Sequence, residues 1–417
     1  MGMTIAEKII ARAAGVTEVR AGDIHTVELD YLMSNDGTSH LTVDKYNNLK
    51  HQRIADVSKL VWIVDHNLPC DSVKTAASHK KMRDFAKEHG ITFYEGEGVC
   101  HQVMLEHHVC PGQLIFGADS HTCAYGALGA FGTGVGNTDY LYAMVTGESW
   151  VLVPETLRFN LHGSLPEGVY ARDLILTIIG RISANGANYK AMEFGGDGLK
   201  TIDMAGRISI CNLCVEAGAK TALMEVDETA LSYLEEHGRE PAAVFEPDAD
   251  AVYAAVYDID LSEIRPIVAR PHFVDNVCSA AEAVGTHIDE AFLGSCNNGR
   301  IEDLRVGASV IKGKKVSPDV RFLVVPASRS VYEQAMKEGL LETFIEAGAI
   351  VMNPNCSVCW GACQGVIGEG ETLISTGTRN FKGRAGHRNS FVYLASAATV
   401  TASAIRGEIA TADMLEQ

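Results

Sequence analysis

The stretch Asn353-Pro-Asn-Cys-Ser-Val-Cys-Trp-Gly361 follows directly on the apolar run Ala349-Ile-Val-Met352. Four apolar residues broken by Asn and Pro read as a buried strand ending in a turn. Cys356 and Cys359 stand in a C-x-x-C spacing, so one tight turn can present both sulfurs to the same side. Free cysteine is also among the most buried residue types, and the plain reading is a pair of small core hydrophobes. Their place at a strand end, with Pro and Gly shaping the turn, favours half a metal site. The other half has several sources. Cys363 extends the run to C-x-x-C-x-x-x-C. Cys296 lies in Gly294-Ser-Cys-Asn-Asn-Gly299, again after an apolar run. Cys211-Asn-Leu-Cys214 could complete a four-thiolate zinc site. Spacing does not choose among them. An iron–sulfur cluster on three thiolates would leave one iron without a protein ligand and open to substrate.

Working outward, the same pattern recurs. Leu60-Val-Trp-Ile-Val64 runs into Asp65-His66-Asn67, Gln113-Leu-Ile-Phe-Gly117 into Ala118-Asp-Ser-His-Thr122, and Ala291-Phe-Leu293 into the Cys296 motif. Arg321-Phe-Leu-Val-Val325 runs into Pro326, and Thr372-Leu-Ile-Ser375 into Thr376-Gly-Thr-Arg-Asn-Phe381. Helix-like stretches intervene, such as 74–88, which stops at Gly90. Buried strands alternating with helices predict an α/β fold with largely parallel sheets. Ligands then bind beyond the carboxyl ends of the strands, which is where the polar clusters fall. A chain of 417 residues exceeds one compact core. We divide it into three α/β domains at 1–157, 158–270 and 271–417, the last carrying the candidate metal cysteines of the C-terminal part. The acidic stretch Glu246, Asp248, Asp250 reads as a solvated face, and the Ala-rich run 391–405 as helical.

The formal net charge of −18 leaves no basic footprint for a nucleic-acid backbone. It permits a small anionic substrate held by a few local arginines. No apolar run is long enough to span a bilayer. The N-terminus reads as an amphipathic helix rather than a signal peptide, and Ala6 breaks the myristoylation pattern that Gly2 suggests. Eleven cysteines in irregular spacing, an odd number, speak for a reducing, cytoplasmic setting rather than a disulfide framework.

Histidines and arginines form further groups. His66 follows Asp65, His121 sits in Asp119-Ser-His, and His101 lies in Gly98-Val-Cys-His-Gln102. Each alone reads as a hydrogen-bonded structural histidine. Two carboxylate–imidazole groupings at two strand ends point to acid–base chemistry. His107-His108 lacks a spaced third zinc ligand. Arg379 and Arg384 are natural carboxylate forks, and Arg305 reads as a partner of Glu302 on a helix. Gly132-Thr-Gly-Val-Gly136 lacks the features of a nucleotide loop and reads as close packing.

Taken in order, Asn35-Asp-Gly-Thr38, Asp65-His-Asn67, Gly117-Ala-Asp-Ser-His-Thr122, Gly126-Ala-Leu-Gly-Ala-Phe131, Ile210-Cys-Asn212 with Glu216-Ala-Gly218, Gly294-Ser-Cys296, Cys356-x-x-Cys359 and Arg379-Asn-Phe-x-Gly-Arg384 resemble the large subunit of the aconitase superfamily. Gly299-Arg-Ile-Glu-Asp-Leu-Arg305 is similar to the branch of 3-isopropylmalate dehydratase and homoaconitase. The resemblance implies three similar three-layer α/β/α domains around a central cleft. It implies a [4Fe-4S] cluster on Cys296, Cys356 and Cys359, with one iron lacking a protein ligand, and leaves Cys363, Cys211 and Cys214 as bystanders. It implies a hydro-lyase that removes and re-adds water on a hydroxy di- or tricarboxylic acid. 2-Isopropylmalate in leucine biosynthesis is the first substrate to expect, with homoaconitase, dimethylmalate dehydratase and other aconitase-type hydratases as alternatives. His66, oriented by Asp65, would protonate the departing hydroxyl. His101, Asp119, Ser120, His121 and Glu216 would line the site, Asn212 would support it, and Asn35, Arg379 and Arg384 would hold substrate. The resemblance further implies a separate small subunit carrying the swivel domain. The chain departs from the family pattern at Asn297, Thr378 and Trp360. Outside the class, the rival reading is a non-catalytic metal-binding module.

Overall fold

The computed structural model describes residues 2–51 and 53–415. Three sheets rich in parallel pairs succeed one another along the chain. The first runs in the order Thr92–Glu95, Leu60–Val64, Tyr31–Asn35, Leu114–Gly117, Phe131–Gly134, all parallel. The second, Thr221–Met224, Ala191–Gly195, Thr156–His162, Ala255–Asp260, is also parallel. The third has seven strands. Phe391–Leu394, Thr372–Ser375, Glu290–Gly294, Arg321–Val325 and Ile350–Val351 form its parallel part. Ile267–Ala269 and Val277–Ser279 close one edge antiparallel. Leu60–Val64 and Glu290–Gly294 are buried at every residue, as central strands covered on both faces must be.

The helices begin and end where the local chemistry directs. Thr4 and Glu7 form a reciprocal capping box ahead of Ile5–Ala14, and Gly15 closes it in the left-handed region. Ser72 accepts from the amide of Thr75 to start Val73–His89, which Gly90 ends. No helix among the described residues is long and apolar enough to cross a membrane.

Three local expectations are corrected. Residues 391–405 are not one helix. The aromatic and β-branched Phe391–Leu394 pairs in parallel with Thr372–Ser375, and the helix is Ala397–Arg406; tertiary pairing overrides the Ala-rich composition. Asp248 is not simply a solvated acid. It accepts from the amide of Met3 at 2.7 Å and from Lys8 Nζ at 2.6 Å, so it docks the N-terminal helix. Arg305 forks onto Glu338, at 2.8 and 2.6 Å, rather than pairing with Glu302.

The glycine-rich segment packs backbone against backbone. A Cβ on Gly126 would lie 1.7 Å from the carbonyl oxygen of Ala222, and one on Gly132 2.2 Å from that of Thr122. The turn Ser120–Leu128 therefore meets the strand Thr221–Met224 of the second sheet, and Phe131–Gly134 of the first sheet meets that turn, with no room for a methyl group at either contact. Gly126→Ala is expected to lower unfolding free energy by at least about 1–3 kcal/mol. Gly136→Ala, whose nearest neighbour would be Asp139 Oδ2 at 3.5 Å, should stay within about 0.5 kcal/mol. Urea unfolding of the two variants checks this; equal midpoints would contradict it.

Candidate active site

The carboxyl ends of the first and third sheets open onto one cavity of about 190 Å³. Asn35 ends its strand, Asp65 follows the next, and Asp119 follows Leu114–Gly117. On the opposite side Cys296 follows Glu290–Gly294, Cys356 follows Ile350–Val351, and Arg379 follows Thr372–Ser375. His66, His101, Ser120, His121, Cys359 and Arg384 also line the cavity. Asn212 and Glu216 come from the helix Met204–Leu213 and the turn after it and reach the lining by hydrogen bonds. Every residue singled out from the sequence for a site role thus belongs to one assembly.

Asp65 and His66 form a buried carboxylate–imidazole pair. Asp65 Oδ1 lies 2.6 Å from His66 Nδ1, and its other oxygen accepts from the amide of Cys100 at 2.7 Å. His66 Nε2 is directed toward Asp119 Oδ2 at 3.6 Å. Burial disfavours the imidazolium, but the carboxylates of Asp65, Asp36 and Asp119 outweigh it and carry the His66 pKa up to about 10. His66 is therefore a proton donor at neutral pH.

Asp119 is the centre of a second group. Its carboxylate accepts from His101 Nε2 at 2.9 Å, from the amide of His121 at 2.8 Å and from Asn35 Nδ2 at 3.2 Å. Burial pushes its pKa up, yet His101 and His121 hold it well below the usual carboxylate range. His121 Nε2 and Arg379 Nε both reach Glu216 Oε1, at 3.1 and 2.7 Å, and Arg379 also donates to Ser120 Oγ at 2.9 Å. Burial lowers the pKa of His121, but Asp119 and Glu216 raise it on balance. Arg384 Nε is buried with no hydrogen-bond partner among the described residues, an open donor suited to an anion.

The three thiols share one wall. Cys296, Cys356 and Cys359 are 5, 7 and 7% exposed. Burial pushes the Cys296 thiol up to about 12, with Cys359 adding to it. The interaction between Cys356 and Cys359 holds the Cys359 thiol well below its usual pKa, and the same interaction together with burial pushes the Cys356 thiol well above. Polar hydrogens surround the sulfurs. Asn212 Nδ2 donates to Cys296 Sγ at 3.3 Å, and Thr378 Oγ1 lies 3.6 Å from Cys359 Sγ. Three clustered thiols with N–H and O–H donors around them suit a metal–sulfur group that carries negative charge. Cys211 and Cys214 are packed into the apolar core, and Cys363 is not part of the cavity lining.

Two contributors, Asp36 and Arg172, escaped the sequence reading, and Arg300, Asn297 and Trp360, noted there without a role, take one here. Asp36 accepts from the successive amides of Asp65, His66 and Asn67 at 3.0, 2.8 and 2.9 Å and from His79 Nε2 at 3.0 Å. Its only signal was its place beside Asn35. Arg172, fully buried, donates to the side chains of Asn297 and Asn298 and to the carbonyls of Thr376 and Gly377. Arg300 donates to the carbonyls of Cys296 and Asn297. Asn297, where the family pattern differs, holds Asn212 Oδ1 at 3.2 Å through its own Nδ2 and so positions the donor to Cys296. Trp360 sets its ring edge to face against His66, with centroids 4.7 Å apart.

Residues 7–287 and 279–407 match the sequence pattern of the Aconitase family (aconitate hydratase). The chain belongs to the aconitase family. It is an enzyme of the hydro-lyase class, and the family implies an iron–sulfur cluster of the [4Fe-4S] type. The probable 3-isopropylmalate dehydratase large subunit of Methanothermobacter thermautotrophicus is 48% identical over 98% of this chain and 98% of its own length. The 3-isopropylmalate dehydratase large subunit of Aquifex aeolicus is 46% identical over 99% of this chain and 98% of its own. The probable methanogen homoaconitase large subunit of Methanothermobacter thermautotrophicus is 46% identical over 98% and 97%. The crystal structure of Thermococcus kodakaraensis aconitase X (holo-form) superposes with a TM-score of 0.52 over 88% of each chain at 10% identity, a likeness of fold.

Arg172 joins the residues after Cys296 to the loop before Arg379. Replacing it in this aconitase-family chain by Met would strip charged donors from two buried side-chain amides and two carbonyls. Arg172→Met is expected to lower unfolding free energy by about 3 kcal/mol or more. A shift in the urea midpoint equivalent to under ~1 kcal/mol would contradict this reading.

Proposed function

We propose that the chain is the large, iron–sulfur subunit of a two-subunit dehydratase that isomerises a hydroxy diacid, 3-isopropylmalate dehydratase being the reading best supported. The observation that carries it is the meeting in one cavity of three thiols, the Asp65–His66 pair and the Arg379–Arg384 pair. Large-subunit relatives of nearly the same length, 46–48% identical, support the substrate class and the need for a small subunit. Homoaconitase is the second reading, favoured by the similar identity to a homoaconitase large subunit. The division at 1–157, 158–270 and 271–417 and the cytoplasmic setting are part of the same proposal; each sheet lies mainly within one range, with Thr156–His162 crossing the first boundary and Ile267–Ala269, an edge strand of the third sheet, lying before the second.

Cys296, Cys356 and Cys359 would hold the cluster. When bound, it supplies a Lewis-acidic iron without a protein thiol, which polarises hydroxyl and carboxylate groups. The remaining work falls to the chain's own side chains. His66 holds a proton at Nε2, with Nδ1 fixed on Asp65, and delivers it to the departing hydroxyl. Asp119, His101 and His121 hold the water that is released and returned. Arg379, braced on Glu216 and Ser120, and Arg384, with its open Nε, grip carboxylates. Asn35, tied to Asp119 Oδ2, presents its amide to substrate.

The direct test pairs the purified, anaerobically reconstituted chain with a small subunit encoded beside it. Dehydration of 3-isopropylmalate is expected, with homocitrate turned over at least about 10-fold less efficiently, a difference of ~1.4 kcal/mol in transition-state binding. The reverse ranking would select homoaconitase, and full activity of the chain alone would refute the two-subunit reading. Cluster assignment has its own readout. Serine at position 296, 356 or 359 should each lower bound iron and sulfide and bleach the visible absorption. Serine at 211, 214 or 363 should leave both unchanged; loss at Cys363 with retention at Cys296 would overturn the ligand set.

A further inference from the structure

A second proton-transfer array lies outside the cavity lining. Cys70 follows Leu68-Pro69 and precedes the helix Val73–His89. It is the exposed member among eleven free cysteines. His79, two turns into that helix and 1% exposed, sets Nδ1 3.1 Å from Cys70 Sγ. Its Nε2 lies 3.0 Å from Asp36 Oδ2. Asp36 is a carboxylate throughout the neutral range. Burial raises its pKa, but His79, the charge of His66 and the amides of Asp65 and His66 hold it far below the usual value. A carboxylate can only accept, so the neutral imidazole carries its hydrogen on Nε2 and turns the Nδ1 lone pair toward the thiol. Thiol, imidazole and carboxylate thus stand in series, the arrangement that activates a cysteine nucleophile. Nothing in the dehydration chemistry uses Cys70 or the base that faces it. Asp71, which follows Cys70 in the chain, and Cys363 also lie close by.

We propose that Cys70 is a nucleophilic thiol, with His79 as its base, that undergoes exchange with small-molecule disulfides. Cys70 Sγ attacks one sulfur of the disulfide while its proton passes to His79 Nδ1. The disulfide S–S bond breaks, and the departing thiolate takes up that proton. The products are a mixed disulfide on Cys70 and one free small thiol, so the incoming disulfide is the only oxidant required. The site adjoins the cysteine loop. The carbonyl of Leu68, two residues earlier, accepts from Asn353 Nδ2 at 3.2 Å and Asn355 Nδ2 at 2.9 Å. A group added at Cys70 therefore sits against the segment that carries Cys356 and Cys359.

The test uses the full, cluster-loaded chain under anaerobic conditions, with iodoacetamide and oxidised glutathione as probes and peptide mass spectrometry as the readout. Cys110 and Cys363, both half-buried, serve as internal references. At pH 7 His79→Gln is expected to slow modification of Cys70 about 10-fold or more. Above pH 9, where ordinary thiols ionise unaided, the two proteins should converge. A ratio that stays constant with pH, or no slowing at all, would mean that exposure alone sets the rate and would overturn the proposal. A second comparison does not depend on the variant folding. A synthetic peptide of residues 66–75, which lacks His79, should react about 10-fold more slowly at pH 7 than Cys70 in the protein. An equal or faster peptide overturns the proposal equally.

Discussion

One buried carboxylate holds the site in register. Asp36 receives three consecutive backbone amides, those of Asp65, His66 and Asn67, together with the ring of His79. The strand Leu60–Val64 leaves its sheet at that point, and its amides would otherwise be buried without partners, a cost of about 1–3 kcal/mol each. Asp36 satisfies them together and thereby fixes the direction in which His66 leaves the backbone. Asp65 can then lie 2.6 Å from His66 Nδ1 with its second oxygen on the amide of Cys100. The anion that organises the chain also raises the basicity of the imidazole it orients.

The cysteine wall is built by a different device. Here cations rather than anions are buried. Arg172 and Arg300 bind carbonyls around Cys296 and before Arg379 and carry positive charge into a region where three thiolates would gather. Burial lowers the pKa of Arg172 to about 10, so it stays charged at neutral pH. Carbonyl caging and thiolate compensation fall to the same guanidinium groups, which explains why such large polar side chains are retained in a packed interior.

Much of this was legible in the sequence, for identifiable reasons. The strand-to-polar-cluster pattern placed Asp65, Asp119, Cys296 and Arg379 at strand ends because buried parallel strands read as unbroken apolar runs. The choice of Cys296 over Cys363 was not legible from spacing, since 60 residues of chain hide the contact, and it came only from resemblance. Asp36 and Arg172 were missed because three backbone amides on the one and two backbone carbonyls on the other leave no trace in side-chain patterns, and their side-chain partners His79, Asn297 and Asn298 lie far along the chain. The run 391–405 misled because alanine content signals helix while pairing with Thr372–Ser375 decides otherwise. Asp248 looked like surface charge because its partners lie some 240 residues earlier in the chain.

The glycine seam bears on how such a protein can change over time. Most core clashes are reparable: a neighbour is trimmed, and a second substitution restores what the first cost. At Gly126 and Gly132 the opposing atoms are carbonyl oxygens of Ala222 and Thr122. Every amino acid carries that oxygen. No second-site replacement can clear the space, so these two positions lack the compensatory routes by which the rest of the interior can drift.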